Sequence, residues 1–217
     1  MENLEQKKGE LIKRTANYVK KIMNKEATGH DWWHIYRVWK MAKKIAAEVG
    51  ADMFIVEMAA LLHDIDDYKV EGSGKRAEEW LKRLELNGSI VEKILSTIEE
   101  VSFKGALVKT ETSSLEAAVV QDSDRLDALG AIGIARCFAT GAKRNRSLYE
   151  PGEKPEKHGT FEEYKKSKGS SINHFYEKLL LLKDRMNTLP AKKIAEERHA
   201  FMEEFLTRFY EEWEGSE

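Results

Sequence analysis

The sequence places imidazole and carboxylate side chains inside segments that are otherwise apolar. His63 and Asp64 stand near the end of the run MFIVEMAALLHDIDD, and His34 stands earlier in the chain, in HDWWHIYRV. Burying an ionised carboxylate costs several kcal/mol unless the group is paired or bound to a metal ion. The pair at 63–64 therefore needs a cationic partner. That partner is either a metal ion or a protein group such as an arginine or the neighbouring histidine.

Three further aspartates lie close together in the segment QDSDRLDALGAIGIAR. Asp122 and Asp124 fall on different faces of the helix predicted there, and both faces are lined by apolar residues. Periodicity therefore predicts that at least one of the two carboxylates has a strong partner, without choosing between them. Pairing with Arg125 at the helix surface is the alternative. Two imidazoles and two carboxylates would suit a divalent first-row metal ion or Mg²⁺.

The elements that would position these residues are helices. Only three prolines occur, none before Pro151, and apolar residues recur at spacings of three and four rather than in alternation. The sequence therefore predicts an all-α protein of about eight helices. We expect them at 3–26, 32–49, 53–67, 75–86, 89–101, 112–140, 170–188 and 191–214.

Glycine, aspartate and proline positions predict where several of these helices begin and end. Gly50 is expected to end the second helix, Asp52 to cap the third, and Leu189-Pro190 to act as a hinge between the last two. The segment 141–169 is polar and contains two of the three prolines. A loop of this length is typical of a lid, a binding loop or a solvated insertion.

The composition limits the classes of function. Of the 217 residues, 41% are hydrophobic and 34% are charged, which excludes a membrane protein and a disordered chain. The net charge of −2 argues against bulk electrostatic binding to nucleic acid. The polar, partly acidic start does not resemble a signal peptide. The single cysteine, Cys137, is expected to be a small buried residue. We expect a cytoplasmic protein, either a monomer or a homodimer.

The order of the motifs resembles the HD-domain superfamily of metal-dependent phosphohydrolases. The pattern HxxRV, an HD doublet and DRL follow one another here, each on a predicted helix. The chain is most similar to small bacterial HD hydrolases that carry HDWxHxxRV, HDIDDYK and DADRLDAIGAIGIAR-like segments. This similarity extends to SINHFYEKLL and AEERHAFMEEFL near the end. It implies a single HD domain over residues 1–217 and a nucleotide pyrophosphohydrolase-like subgroup.

The resemblance implies one divalent metal ion: Mn, Fe, Co, Ni, Zn or Mg. Asp124 matches the aspartate of the A-D-R-L segment of the family, although Ser123 replaces the alanine, and Asp122 is the reserve choice. Two-metal members usually carry extra histidines between the doublet and this aspartate, and residues 65–123 contain none. We therefore expect a single metal ion, with the ligands His34, His63, Asp64 and Asp124.

The resemblance also implies a catalytic acid, and the charge of a phosphate substrate suggests basic residues that would bind it. Asp67 matches the position where some family members hold an acid that orients the attacking water, and Asp66 competes with it. A capping role at the surface is the alternative for either. Phosphate groups need positive partners, and Lys104 and Arg125 are the favoured pair. Further candidates, for which ordinary surface charge is the alternative, are Arg37, Lys143, Arg144, His174 and Lys178.

Aromatic residues cluster beside His34 in the sequence. Trp32, Trp33 and Tyr36 could form a wall against a nucleobase, and a place in the hydrophobic core is the alternative.

The resemblance implies hydrolysis of a phosphoanhydride of nucleoside or deoxynucleoside triphosphates by a metal-activated water. The alternatives are a 5'-nucleotidase and an alarmone-type hydrolase. In the alarmone enzymes a Glu-Asp pair follows the HD doublet, whereas this chain has Asp66-Asp67. A non-catalytic nucleotide-sensing module is a further alternative, and the four filled ligand positions argue against it. The expected partner is a small-molecule nucleotide, with no stable nucleic-acid binding and no membrane binding.

Overall fold

The regular structure is entirely helical wherever the chain is described. The computed structural model describes residues 2–23, 31–66, 74–101, 110–156 and 169–216. Within these ranges it contains nine α-helices, one 3₁₀ helix and no strand, which confirms the all-α prediction. No helix in the same ranges combines the length and the apolar character needed to cross a membrane.

The chain divides into two compact units. The first contains the described residues up to 101 together with 110–124, and the second contains the described residues from 125 onward. The expectation of one domain over 1–217 stays a prediction.

A buried central helix organises the first unit. Helix α3 packs against α1, α2 and α5, and every residue from Phe54 to Leu62 is buried. A helix with apolar residues on almost every side is stabilised most when all its sides are buried against other helices, because each buried apolar side chain is removed from water. The helices of this unit are α1 (Glu2–Ile22), α2 (Trp32–Val49), α3 (Met53–Leu62), α4 (Arg76–Arg83), α5 (Gly88–Val101) and the larger part of α6 (Leu115–Asp127).

The connection between α2 and α3 follows the predicted capping residues. Gly50 adopts a left-handed conformation with φ of 74°, and its N–H donates to the carbonyl of Ala46. The Asp52 carboxylate accepts hydrogen bonds from the first N–H groups of α3, at 3.0 Å from Phe54 and 3.3 Å from Ile55. Both caps confirm the sequence-based predictions. Helix α3 nevertheless ends at Leu62, earlier than predicted, and residues 63–66 form a turn.

The second unit is built on a long C-terminal helix, which packs against α7 and the 3₁₀ helix. The single helix predicted over 112–140 is wrong, because α6 ends at Asp127 and α7 begins at Gly130. Gly130 has φ of 72°, and a Cβ at that position would lie only 3.0 Å from Cγ of Arg198. Glycine therefore permits this break. The helices after the break are α7 (Gly130–Lys143), α8 (Ser171–Glu177), the 3₁₀ helix (Leu179–Arg185) and α9 (Leu189–Glu214).

Leu189-Pro190 starts a helix rather than hinging two helices. The side chain of Thr188 caps α9, and Pro190 lies in its first turn. Proline is favoured there because the first turn leaves its N–H groups without intrahelical acceptors. The prediction of one helix over 170–188 is therefore replaced by α8 and the 3₁₀ helix.

The predicted loop 141–169 begins later than expected, because α7 continues to Lys143. Residues 144–156 contain no helix, and residues 157–168 lie outside the described ranges. Tyr149 packs edge-on against three aromatic rings of α9, those of Phe209, Tyr210 and Trp213. The described part of the loop is therefore anchored to α9.

Cys137 lies on α7 and is half-buried, so it is less enclosed than predicted. Its Sγ lies 3.4 Å from the carbonyl oxygen of Ser171. Burial raises the pKa of Cys137 to about 12, with smaller opposing effects from Arg146 and Lys178. The residue is therefore a thiol at neutral pH.

Candidate metal centre

The first turn of α2 positions His34. Asp31 is the N-cap of this helix, and its carboxylate accepts a hydrogen bond of 2.9 Å from the backbone N–H of His34. The imidazole of His34 is buried, on the side of α2 that also buries Ile35 and Val38. The cap therefore fixes the start of α2 and, with it, the place of this ring.

The turn after α3 positions His63 and Asp64. The ring of His63 is buried, and its Nδ1 lies 2.9 Å from the carbonyl oxygen of Ala60. A carbonyl can only accept, so this contact assigns the proton to Nδ1 and leaves the lone pair on Nε2. His63 therefore presents Nε2 as an acceptor or metal ligand.

Helix α6 brings a carboxylate from a distant part of the sequence to the same place. Oδ1 of Asp124 lies 3.4 Å from Nε2 of His34 and 3.8 Å from Nε2 of His63. Asp122 is fully buried on the same helix. Among the described residues, the group whose ligand atoms all lie within 4.8 Å of one another consists of His34, His63 and Asp124. The geometry thus favours Asp124 over Asp122.

Asp64 lies beside this group and faces both histidines. Its Oδ2 is 3.4 Å from Nε2 of His34, and its Oδ1 is 3.7 Å from Nε2 of His63. The four predicted ligands thus come from three separate segments, with His34, His63 and Asp124 close together and Asp64 beside them.

The separations between these atoms suit a shared ion better than direct pairing. Charge-assisted N–H···O bonds are about 2.7–2.9 Å long, and all four His–Asp distances exceed this range. Two ligands bonded to one first-row ion at about 2.0–2.2 Å lie roughly 3.0–3.6 Å apart. The observed 3.4–3.8 Å matches or slightly exceeds that range. A borderline nitrogen and hard oxygen donor set of this kind suits divalent first-row metals.

The histidines form the buried side of the centre and the carboxylates its more open side. The side chains of His34 and His63 are 1% and 2% exposed, whereas those of Asp64 and Asp124 are 13% and 28% exposed. A small molecule would therefore approach the centre on the carboxylate side.

The pKa of Asp124 lies well below its usual range. Partial burial raises this pKa, and the charge of Asp64 raises it further. The close approach of His34 and the positive charges of His34 and His63 when protonated outweigh these effects. Asp124 is therefore ionised at neutral pH, which is the form that binds cations.

Asp66 caps a helix in the structure and does not join the other acids. Its carboxylate accepts hydrogen bonds from the backbone N–H groups of Gly74, Arg76 and Ala77 at the start of α4. The capping alternative thus describes Asp66. Asp67 and Lys104, which are predicted to be catalytic, lie outside the described residues.

The structure places the remaining predicted basic residues in varied environments. Arg125 is buried and donates from Nη1 to the carbonyl oxygen of Arg185, a contact within the second unit.

The other basic candidates differ in how far they are exposed. Arg37 on α2 is half-buried. Lys143 and Arg144 are exposed at the end of α7. His174 lies on α8 and is half-buried, as is Lys178, which follows the last residue of that helix. Their predicted contacts with a substrate stay predictions.

The aromatic residues near His34 divide between core and surface. Trp32 is buried, as the core alternative states, whereas Trp33 is 58% exposed and Tyr36 is 37% exposed. The rings of Trp33 and Tyr36 meet edge to face, with centroids 5.9 Å apart. The core interpretation is therefore wrong for Trp33.

Sequence reasoning missed a buried acid on α3. Glu57 accepts a hydrogen bond of 2.7 Å from Nε1 of Trp39 and lies 3.2 Å from Nζ of Lys43. The signal was available, because Glu57 is the one charged residue in the run MFIVEMAALL. A charge inside such a run predicts a buried ion pair.

Comparisons with known proteins agree with this geometry. A family model described as the HD domain matches residues 32–129, a span that includes all four converging side chains. YpgQ of Bacillus subtilis is 37% identical over 204 residues, which cover 91% of each chain. A crystal structure of YpgQ in complex with ADP aligns with a TM-score of 0.77 and 32% identity, over 95% of this chain and 96% of that one.

Two further solved structures are similar over almost their whole length. A Bacillus thuringiensis protein described as an HD-superfamily hydrolase is 44% identical, with a TM-score of 0.75, over 95% of this chain and 98% of that one. A Lactobacillus plantarum protein has a TM-score of 0.85 at 34% identity, over 94% of this chain and 97% of that one.

Proposed function

Because this chain belongs to the HD-domain family, we propose that it is a metal-dependent phosphohydrolase that acts on nucleotides. The observation that carries the proposal is the convergence of His34, His63, Asp64 and Asp124 from three segments, with His–Asp distances of 3.4–3.8 Å. We assign these four side chains as the ligands of one divalent cation. Manganese, iron, cobalt, nickel, zinc and magnesium are the candidate ions.

The chain's own residues prepare this centre for a cation. The bond from Nδ1 of His63 to the Ala60 carbonyl holds the ring in the tautomer that a metal ligand needs. Asp124 faces Nε2 of both histidines with a carboxylate, which is the charged form of an aspartate at neutral pH. A divalent cation bound here would lower the pKa of a water molecule and offset negative charge on a phosphoryl group.

We assign the orientation of the attacking water to Asp67. It follows the turn that carries His63 and Asp64, and Asp66, its competitor, is engaged by the backbone of α4. A carboxylate one water molecule away from a phosphorus atom can accept the proton of that water as it attacks. Lys104 remains the favoured partner of the substrate phosphates. Arg125 is a weaker candidate than the sequence suggested, since it is buried and bonded to a carbonyl.

The proposed substrate class rests on the family and on one relative. YpgQ was crystallised in complex with ADP, which supports a nucleotide as the ligand of this chain. We propose nucleoside or deoxynucleoside triphosphates as substrates, cleaved at a phosphoanhydride with release of pyrophosphate. Nucleotide monoester hydrolysis is the alternative with the same centre. Cytoplasmic location and oligomeric state stay predictions.

A single assay tests the proposal. The purified protein is analysed for bound metals and then incubated with a panel of nucleoside mono-, di- and triphosphates, with phosphate and pyrophosphate detected separately. We expect about one equivalent of a divalent metal, and turnover that disappears in Asp64→Ala. Pyrophosphate release identifies the triphosphate reaction, whereas phosphate release from monophosphates identifies a nucleotidase. A metal-loaded protein that turns over no member of the panel would overturn the enzyme proposal in favour of a nucleotide-sensing module.

A further inference from the structure

Helix α4 lacks a cap of its own and uses a carboxylate from an earlier part of the chain. Lys75 occupies the N-cap position, and its side chain makes no cap hydrogen bond. Instead, Oδ1 of Asp66 accepts from the N–H of Arg76 at 2.8 Å, and Oδ2 accepts from the N–H of Ala77 at 3.0 Å. The N–H of Gly74 also approaches Oδ1, at 3.3 Å. One carboxylate thus satisfies N–H groups that a helix start leaves open.

Asp66 belongs to the same turn as two proposed metal ligands. The turn of residues 63–66 follows the end of α3, and His63 and Asp64 are its first two residues. The N–H of Ile65 reaches the carbonyl of Leu62 at 3.3 Å, a long hydrogen bond. Helix ends are prone to fraying, so the two shorter bonds of Asp66 are well placed to hold this turn.

Helix α4, whose start accepts these bonds from the turn, is itself anchored to the first unit. Trp80 on α4 stacks on Tyr18 of α1 with ring centroids 3.9 Å apart. Its Nε1 donates a hydrogen bond of 2.9 Å to Oγ1 of Thr15, which is fully buried. Helix α1 in turn packs against α3. Asp66 therefore ties the turn to a helix that is anchored to the core of the first unit.

We propose that Asp66 is a positioning residue for the metal centre, and that its bonds to the start of α4 hold His63 and Asp64 in place to bind the ion. This inference rests on the proposed function, because it concerns the same centre. In this role Asp66 acts through the backbone of the turn and not as a ligand of the ion. Groups that hydrogen-bond directly to metal ligands change metal affinity by about 10–100-fold when they are replaced, and Asp66, which acts one step further away, should lie at the lower end of that range.

The test compares Asp66→Ala with a matched control, Asp52→Ala. Both carboxylates accept N–H groups at the start of a helix in the first unit, and both losses remove a helix cap. Asp52 lies at the opposite end of α3 from the turn, roughly 15 Å away along the helix axis. Loss of a cap alone therefore affects both variants, and loss of positioning affects only Asp66→Ala.

Mn²⁺ is the probe, titrated into metal-free full-length protein and followed by calorimetry, with nucleotide turnover measured at each Mn²⁺ concentration. We expect Asp66→Ala to bind Mn²⁺ about 10-fold more weakly than the wild type. Its half-maximal activity should need correspondingly more Mn²⁺, with kcat largely restored at saturation. Asp66→Asn keeps one acceptor oxygen, so its Mn²⁺ affinity should lie between those of Asp66→Ala and the wild type. Asp52→Ala should bind Mn²⁺ as tightly as the wild type does.

The possible outcomes separate this inference from the proposed function. Equal Mn²⁺ affinity in Asp66→Ala, Asp66→Asn and the wild type would overturn the positioning role and leave the proposed function intact. Equal losses in Asp66→Ala and Asp52→Ala would reduce Asp66 to an ordinary cap. A wild-type protein that binds no Mn²⁺ would count against the metal centre itself and would remove the basis of both proposals. If Asp66→Ala does not fold, the Asp66→Asn result decides.

Discussion

Buried acidic side chains occur at two places, one on α3 and one in the turn after it, and the two places differ in what the carboxylates face. Midway along α3, Glu57 is held by Trp39 at 2.7 Å and by Lys43 at 3.2 Å. At the end of α3, Asp64 faces two imidazole nitrogens at 3.4 Å and 3.7 Å, and a second carboxylate arrives from α6. We refer to these as the paired cluster (Trp39, Lys43, Glu57) and the open cluster (His34, His63, Asp64, Asp124).

The two clusters differ in the groups that face the carboxylates, and this difference separates an acid that stabilises the fold from one that could bind a cation. In the paired cluster a tryptophan N–H and a lysine ammonium meet the carboxylate at bonding distance, so the buried charge is compensated inside the protein. In the open cluster the carboxylates face imidazoles, which are neutral or charged depending on pH, at 3.4–3.8 Å, longer than a normal hydrogen bond. Ligand type and separation together, rather than burial alone, indicate a place for a cation.

Asp64→Ala should have the largest effect, because it removes a ligand from the open cluster. We expect loss of bound metal and a fall in nucleotide turnover of at least about 10³-fold, since the chemistry of such centres depends on the ion. Elemental analysis and a product assay on the same preparation measure both effects. Retention of the metal by the folded variant would show that Asp64 is not a ligand.

Asp67→Asn should separate turnover from metal binding. The variant keeps the size of the side chain and removes the proposed proton acceptor, so kcat should fall by about 10²-fold, the lower range for general base catalysis. Metal content should stay at the wild-type level. Full activity would remove Asp67 from the mechanism, and loss of the metal would move it into the open cluster.

Glu57→Ala should affect stability rather than chemistry. Removing one partner of a fully buried ion pair costs about 3–5 kcal/mol, and Lys43 is 43% exposed, so we expect about 2 kcal/mol. For a chain of this size that corresponds to a fall in Tm of roughly 4–8 °C. Calorimetric unfolding measures the change, and metal content should be unaltered. Loss of the metal from folded Glu57→Ala would mean that the two clusters are not independent.

Lys104→Ala should have the smallest effect of the four. A lost charge-assisted contact with a substrate phosphate is worth about 1.5–3 kcal/mol. We expect the lower end of that range, so KM for triphosphates should rise about 10-fold. Metal content and stability should match the wild type, since Lys104 belongs to neither cluster. An unchanged KM across the nucleotide panel would reassign this lysine to the surface.

Local sequence signals predicted the elements that hold the open cluster. Helix α2 runs from Trp32 to Val49, and both Gly50 and Asp52 act as the predicted caps. These features depend on neighbouring residues, so a single sequence reveals them. His63 was conspicuous as a polar side chain in an apolar run, whereas the prediction of His34 as a ligand came from the resemblance to the HD-domain superfamily.

Features that depend on distant residues could not be predicted in the same way. Glycine occurs inside helices as well as at their ends, and the close approach of Arg198 to Gly130 is not visible in local sequence. Periodicity could not choose between Asp122 and Asp124 because both acids lie on apolar faces, so the choice of Asp124 rested on the family resemblance until the positions of the histidines supported it. A capping role was the alternative for Asp66, but its three hydrogen-bond donors could not be predicted because they lie across a connection, at the start of another helix.

The most direct test of the central claim is anomalous diffraction from crystals of the wild-type protein soaked in Mn²⁺. We predict one strong anomalous peak about 2.0–2.3 Å from Nε2 of His34, Nε2 of His63 and a carboxylate oxygen each of Asp64 and Asp124. An occupied Mn²⁺ site elsewhere, such as beside Glu57, with no density between the two histidines, would contradict the account.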